Sequence, residues 1–215
     1  MRKIGIFGGS FDPIHFGHLR PVLEILDALS LDEIRFIPSG QPPHRQAPMA
    51  TASLRLQMVK AAVAMEPRFI VDEREIERDA PSYTVDTLTE LRQEFSGEAL
   101  VLLVGMDAFL GLPGWYQWRR IFQCAHVIVA HRPGWVLQSG SVLVDELHQR
   151  RAKSAQELWS APTGRILLHP VTQLEISSTL VRASVAAGGD PRYLVPEPVR
   201  ELMLNSHCYR QPPEH

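Results

Sequence analysis

The feature that most limits what this chain can fold into is an alternation. Short runs of branched apolar residues at 4–7, 34–37, 69–71, 100–104, 127–130 and 166–168 are separated by longer stretches in which Leu, Ile or Val recur three and four residues apart. The short runs predict strands, and the stretches between predict helices over 17–29, 51–65, 83–95, 115–123, 142–158, 178–187 and 197–204. Strands that take turns with helices build β-α-β units and a parallel sheet. The expected fold class is therefore α/β, Rossmann-like and doubly wound, with a mainly parallel sheet and helices on both faces. With 215 residues, 45% of them hydrophobic, the chain suits one compact domain over 1–215. Residues 209–215 are polar and proline-bearing, and predict a frayed tail.

Charge narrows the ligand. A formal net charge of −2 lacks the basic excess with which proteins neutralise polynucleotide backbones, so nucleic acid is not an expected partner. Small phosphorylated ligands remain compatible. Cys124 and Cys208 have no metal-ligand spacing, and the N-terminus lacks the apolar stretch of a secretory signal, which predicts reduced thiols and a cytoplasmic location. The longest apolar runs are strand-sized, well short of the roughly 20 residues of a membrane-spanning helix.

The most informative segment is Gly8-Gly9-Ser10-Phe11-Asp12-Pro13-Ile14-His15-Phe16-Gly17-His18, which follows the first strand and leads into the first helix. In an open α/β sheet, ligands bind beyond the carboxyl ends of the strands, where helix N-termini present N–H groups and partial positive charge. Glycines there let a phosphate approach the backbone. His15 and His18 are three apart, so both imidazoles can project from one side of the helix start, and Gly17 keeps the space between them open. A plain turn, a helix cap, or a metal pair at helical spacing are the bland alternatives, the last without a third ligand nearby. Near the other end, Ser177 is placed to cap a helix over 178–187. The amides of Ser178 and Thr179 could then grip phosphate oxygens, with Arg182 one turn on adding a fork of donors. An ordinary capped helix is the alternative.

His15-Phe16-Gly17-His18 resembles the His-x-Gly-His signature of the nucleotidyltransferase superfamily, which contacts the triphosphate of ATP. Ile176-Ser177-Ser178-Thr179-Leu180-Val181-Arg182 resembles the Ile-Ser-x-Thr-x-x-Arg signature of its small transferases. Over nearly its full length the chain resembles the bacterial nicotinate-nucleotide adenylyltransferases. The resemblance implies an ATP site at Gly8, Gly9, Ser10, Phe11, His15, His18, Gly105, Asp107, Arg132, Ser177, Ser178, Thr179 and Arg182, with His15, His18 and Arg182 as the catalytic set.

For the mononucleotide it implies Ser10, His44, Arg45, Tyr83, Thr84, Trp115 and Tyr116. Pro42-Pro43-His44-Arg45 resembles the loop whose basic pair reaches the mononucleotide phosphate. Pro81 to Leu88 resembles the element that starts a helix beside the pyridine ring; an ordinary helix capped by Ser82 is the alternative. Gly105-Met106-Asp107 resembles the step against the adenosine and its ribose. Trp115 is expected on the ligand and Trp118 in the core. Arg132 is expected near ATP, although a solvated surface arginine fits that position as well. Two positions depart from the common family pattern: Ser10 where threonine is frequent, and Gln41 where asparagine is often found. The region 135–163 carries no usable motif, and its charged helix reads as a solvated face.

The expected chemistry is adenylyl transfer from ATP to nicotinate mononucleotide. Mg²⁺ is delivered with ATP and no dedicated protein metal site is expected. Another small-molecule adenylyltransferase, acting on nicotinamide mononucleotide or pantetheine phosphate, and a nucleotide sensor without turnover are the rival readings.

Overall fold

A computed structural model describes residues 1–41, 47–131 and 142–210. Along them run β1 (Lys3–Gly9), α1 (Phe16–Ala28), β2 (Glu33–Pro38), α2 (Ala52–Val63), β3 (Phe69–Val71), α3 (Arg74–Glu77), α4 (Thr84–Glu94), β4 (Ala99–Gly105), α5 (Met106–Leu110), α6 (Ile121–Cys124), β5 (His126–His131), α7 (Val142–Arg150), β6 (Arg151–Ala152), α8 (Ala155–Leu158), β7 (Ile166–Pro170), α9 (Ser178–Ala186) and α10 (Glu197–Ser206).

The strands form a seven-stranded sheet in the order β3-β2-β1-β4-β5-β7-β6. β1 with β4, β4 with β5, β5 with β7 and β6 with β7 are parallel, in a register that sets Ile4 beside Leu100, Leu103 beside Ile128 and Val129 beside Leu168. The central strand β4 is buried from Ala99 to Val104 without alternation, the pattern of a parallel strand covered on both faces. The order reverses between β1 and β4. With right-handed crossovers the two halves of such a sheet carry their helices on opposite faces. The carboxyl ends of β1 and β4, carrying Gly8 and Gly105, are the switch point at which doubly wound sheets bind ligands. The α/β, Rossmann-like expectation holds.

The chain divides into two compact units of interleaved segments. The first comprises Met1–Gly8, Pro21–Arg35 and Tyr83–Gln173, and the second Gly9–Arg20, Phe36–Ser82 and Leu174–His215. The core of the first is built on Ile4, Ile6, Leu100, Ile128 and Ile166, each essentially without exposure. That of the second includes Ile14, Phe36, Met58, Val59, Val181, Val199 and Met203, with α10 packed against α2.

Four sequence expectations are corrected. The helix over 142–158 is broken: α7 ends at Arg150, Ala152 pairs with Leu167 as part of an edge strand, and Ser154 starts α8 by accepting from the Glu157 amide at 3.2 Å. Buried Leu143, Leu147, Ala152 and Leu158 make this segment more than a solvated face. The helix over 115–123 begins only at a 3-10 turn, Trp118–Arg120, because Gln117 adopts a left-handed conformation with φ 47°. The alternative of a helix capped by Ser82 is not realised, because the N-cap of α4 is Tyr83, without a side-chain bond. The tail is not frayed at its start: Tyr209 is fully buried. No helix among the described residues is long and apolar enough to cross a membrane.

Candidate active site

In the second unit the turn after β1 and the start of α9 pack into one cradle. Phe11 has φ 48°, a left-handed conformation that costs a bulky residue about 1–2 kcal/mol. Its side chain is only 1% exposed, and burying a phenylalanine returns about 1.5–3 kcal/mol, so the strained turn is held by its own ring. That ring meets His18 edge-on with centroids 5.3 Å apart. His18 stacks on His15 at 3.7 Å. The imidazoles therefore share one side of the α1 start, as their spacing predicts.

His15 is 4% exposed, and its Nδ1 has no hydrogen-bond partner among the described residues. Burial pulls its pKa down to about 4, so at neutral pH this ring is an uncharged hydrogen-bonding group rather than a cation. Gly17 is fixed by its surroundings. A β-carbon there would lie 2.7 Å from the carbonyl oxygen of Ile176 and 2.9 Å from Nδ1 of His15.

The helix α9 begins as expected: the Ser177 hydroxyl accepts from the Leu180 amide at 3.1 Å. The first amides of a helix have no partner within it, and in α9 these are the N–H groups of Ser178 and Thr179. The Ser178 hydroxyl donates to the Pro13 carbonyl at 2.9 Å, and Arg182 Nη1 donates to the Asp12 carbonyl at 2.7 Å. Arg182 Nη2 also reaches the Thr179 hydroxyl at 3.3 Å. Thus Gly9, Ser10, Phe11, His15, His18, Ser177, Ser178, Thr179 and Arg182 all lie in this unit, around the junction of the two signatures.

Three participants carry no signature and were not singled out from the sequence. The Asp12 carboxylate, 5% exposed, accepts from the amides of Met49 at 2.8 Å and Ala50 at 3.0 Å. Arg55, 1% exposed, donates to the carbonyls of Ser10 at 2.7 Å and Gly40 at 3.4 Å. Burial lowers its pKa from the ordinary value while Asp12 opposes that shift. Tyr209 donates its hydroxyl to Asp12 Oδ1 at 2.6 Å. The signal that could have revealed Arg55 is its place on the apolar stripe of α2 with Met58 and Val59. Tyr209 is an isolated aromatic in a polar tail.

At the carboxyl end of β2, Ser82 accepts from the amides of Gly40 at 3.1 Å and Gln41 at 3.3 Å. A β-carbon on Gly40 would sit 2.0 Å from the Glu75 carbonyl oxygen. Ser82 therefore anchors the chain entering the proposed mononucleotide loop instead of capping a helix. His44 and Arg45, the basic pair of that loop, and Arg132 lie outside the described residues.

The remaining predicted residues belong to the first unit. Gly8 ends its β1 segment, and Gly105 and Asp107 are exposed at the carboxyl end of β4, with Asp107 in the first turn of α5. Tyr83 and Thr84 open α4, and the Tyr83 ring lies 4.6 Å from that of Tyr116. Trp115 is partly exposed, and Trp118 is only 8% exposed, in keeping with a core role for Trp118.

Residues 6–184 match the cytidylyltransferase-like family. The chain is 48% identical over 212 residues to the "Probable nicotinate-nucleotide adenylyltransferase" of Halorhodospira halophila, covering 99% of this chain and 97% of that protein. It is 46% identical over 211 residues to the protein of the same name from Dechloromonas aromatica, covering 96% and 97%. The solved Plasmodium falciparum nicotinic acid mononucleotide adenylyltransferase complexed with APC superposes with a TM-score of 0.72 at 15% identity, covering 97% of this chain and 98% of that one, a likeness of fold. Matched along nearly its whole length, with both signatures folded against each other, this chain belongs to the nicotinate-nucleotide adenylyltransferase family of cytidylyltransferase-like proteins.

Proposed function

We propose that this chain transfers the adenylyl group of ATP to nicotinate mononucleotide, releasing pyrophosphate and forming nicotinate adenine dinucleotide for NAD biosynthesis. Residues 1–215 act as one nucleotidyltransferase domain, in the cytoplasm. One observation carries the reading: the His15-to-His18 turn and the Ser177-to-Arg182 helix start are locked together, with the Ser178 hydroxyl on Pro13 and the Arg182 guanidinium on Asp12.

The mononucleotide phosphate has a second pKa of roughly 6 and is largely dianionic at neutral pH, so it attacks without a general base. One of its oxygens forms a bond to the α-phosphorus of ATP while the bond to the bridging oxygen breaks, and pyrophosphate leaves with that electron pair. The obstacle is repulsion between two anions. His15, His18, the amides of Ser178 and Thr179, and Arg182 hold the ATP phosphates and the departing pyrophosphate, and Gly8, Gly9, Ser10 and Phe11 let the phosphates approach the backbone. Gly105, Asp107 and Arg132 serve the adenosine end. His44 and Arg45 hold the nucleophile, and Tyr83, Thr84, Trp115 and Tyr116 hold the nicotinate ring and its carboxylate.

Alignment of this kind lowers a barrier by about 7–11 kcal/mol, and each preorganised donor aimed at developing charge by about 3–4 kcal/mol, which suffices without a covalent intermediate. Such enzymes use a divalent ion, here Mg²⁺ entering as part of the ATP substrate. Among the described residues no group of three or more His, Cys, Asp or Glu is arranged to hold a metal, and the Asp12 carboxylate is occupied by two amides and a hydroxyl.

The test is pyrophosphate release from ATP with nicotinate mononucleotide, nicotinamide mononucleotide and pantetheine phosphate in parallel. Fast release with the first alone is expected. Preference for either of the others moves the chain to a different transferase, and binding of ATP without release under any condition makes it a sensor.

A further inference from the structure

The buried hydroxyl of Tyr209 touches no predicted ligand residue, yet it lies at the centre of the cradle's support. After α10 the chain turns through His207, whose φ is 56°, and the Arg210 amide closes that turn on the His207 carbonyl at 3.1 Å. This returns the Tyr209 ring to a site with 0% exposure. Its hydroxyl donates at 2.6 Å to Asp12 Oδ1, the oxygen that also accepts from Ala50, while Oδ2 accepts from Met49. Arg182 Nη1 lies 3.9 Å from Oδ2 but donates instead to the Asp12 backbone carbonyl at 2.7 Å. The hydroxyl remains a donor throughout the working pH range, because burial first, and its bond to Asp12 second, raise its pKa above the ordinary value.

We propose that Tyr209 is a positioning residue for adenylyl transfer: by satisfying the Asp12 carboxylate it keeps Arg182 on the neutral Asp12 carbonyl, leaving the guanidinium charge for the ATP phosphates. A buried carboxylate needs donors for its lone pairs. With the tyrosine hydroxyl and two amides supplying them, its charge is spread among groups that cannot leave. Without the hydroxyl, the nearest mobile cation with spare donors is Arg182, and a guanidinium prefers a carboxylate to a carbonyl. It would then be shared between Asp12 and substrate. Arg55, the buried cation beside Asp12, is already committed to the Ser10 and Gly40 carbonyls.

This inference rests on the assignment of Arg182 to the ATP phosphates, and the experiment separates the two. Kinetics are measured for the parent, Tyr209→Phe, Arg182→Gln and the double variant. Phenylalanine keeps the ring and removes only the donor. Tyr209→Phe is expected to raise KM for ATP by about tenfold, the worth of one redirected charge-assisted hydrogen bond, with KM for nicotinate mononucleotide changed less than about twofold. In the Arg182→Gln background the same substitution should have no further effect on KM for ATP. Placing 4-aminophenylalanine at position 209, which restores an N–H donor, should recover most of the parent value. If Arg182→Gln leaves the ATP kinetics untouched, the site assignment itself fails. If Arg182→Gln matters but Tyr209→Phe does not, or the two effects multiply, the role of Tyr209 is overturned and that of Arg182 stands. Unfolding of Tyr209→Phe at 25 °C would also overturn it, since the hydroxyl would then serve the fold alone.

Discussion

Gly17 and Ile176 approach so closely that a β-carbon on the glycine would lie 2.7 Å from the isoleucine carbonyl oxygen. The carbonyl belongs to the residue just before the α9 cap, so neither side can retreat without moving an element proposed to hold phosphate. Gly17 is thus a fitting surface between two signatures and does not hold the two histidines apart as expected, because their rings stack at 3.7 Å. Gly17→Ala should lower stability by about 1–3 kcal/mol, the usual cost of an overpacked contact, and reduce kcat/KM by at least about 100-fold, since small displacements in a preorganised site are that costly. Thermal unfolding beside steady-state kinetics checks both. An alanine variant with parent activity would show that the two elements can separate without consequence.

His18 is less buried than His15 and stacks against it. Removing a donor aimed at developing charge costs about 100- to 1,000-fold in turnover. His18→Ala should therefore lose at least two orders of magnitude in kcat with a cooperative unfolding transition retained. Near-normal turnover would take this residue out of the catalytic set.

The same burial makes the fold sensitive to acid. His15 and His126 have pKa values pulled down to about 4, in each case first by desolvation. In the unfolded chain both titrate near 6.5. Between those values the unfolded state binds more protons than the folded one, so stability is full above pH 6.5 and declines as pH falls towards 4, by about 3 kcal/mol for each histidine. Denaturant melts at pH 7, 6, 5 and 4 should show this fall, and His126→Phe should flatten it by about half. A stability independent of pH across this window would contradict the burial of both rings.

Selectivity for the acid form should reside at the start of α4. Its N-cap, Tyr83, makes no side-chain cap bond, and the Asp86 and Thr87 amides bond the Tyr83 carbonyl, so the amides expected to meet a carboxylate are those of Thr84 and Val85, which would gain a charge-assisted bond only from nicotinate. Nicotinate mononucleotide should be preferred to the amide by at least about 100-fold in kcat/KM, as expected when a site built for a charged group meets a neutral analogue. Parallel kinetics with the two substrates decide it, and equal values would refute the assignment of Thr84 and Tyr116.

Ser82 ties the chain entering the proposed mononucleotide loop through the amides of Gly40 and Gln41. Ser82→Ala removes both bonds, each worth about 0.5–1.5 kcal/mol. KM for the mononucleotide should rise by about 5- to 10-fold while KM for ATP stays within about twofold. An equal rise in both would mean that the serine supports the whole site rather than one loop.

Much of this protein is determined by its sequence alone. The six apolar runs are strands, and those of β4 and β5 are buried on both faces and need no alternation, while Ser177 caps α9 because a short hydroxyl side chain can reach the third amide without help from the rest of the chain. The signatures name His15, His18, Thr179 and Arg182 because their chemistry lies in adjacent residues. Local signals failed where a distant partner decided the outcome. Ala152 leaves its helical pattern for β7 because a parallel edge was available, and Ser82 binds amides some forty positions away instead of capping a helix. Tyr209 looks like tail until the fold brings it to Asp12 across 197 positions. A buried carboxylate recruits whatever donors tertiary packing delivers, and nothing in a residue's neighbours along the chain records that delivery. The sequence determines which chemical groups exist and which elements carry them. The folded chain alone decides which buried polar groups must satisfy one another, because that requirement arises only once water has been excluded.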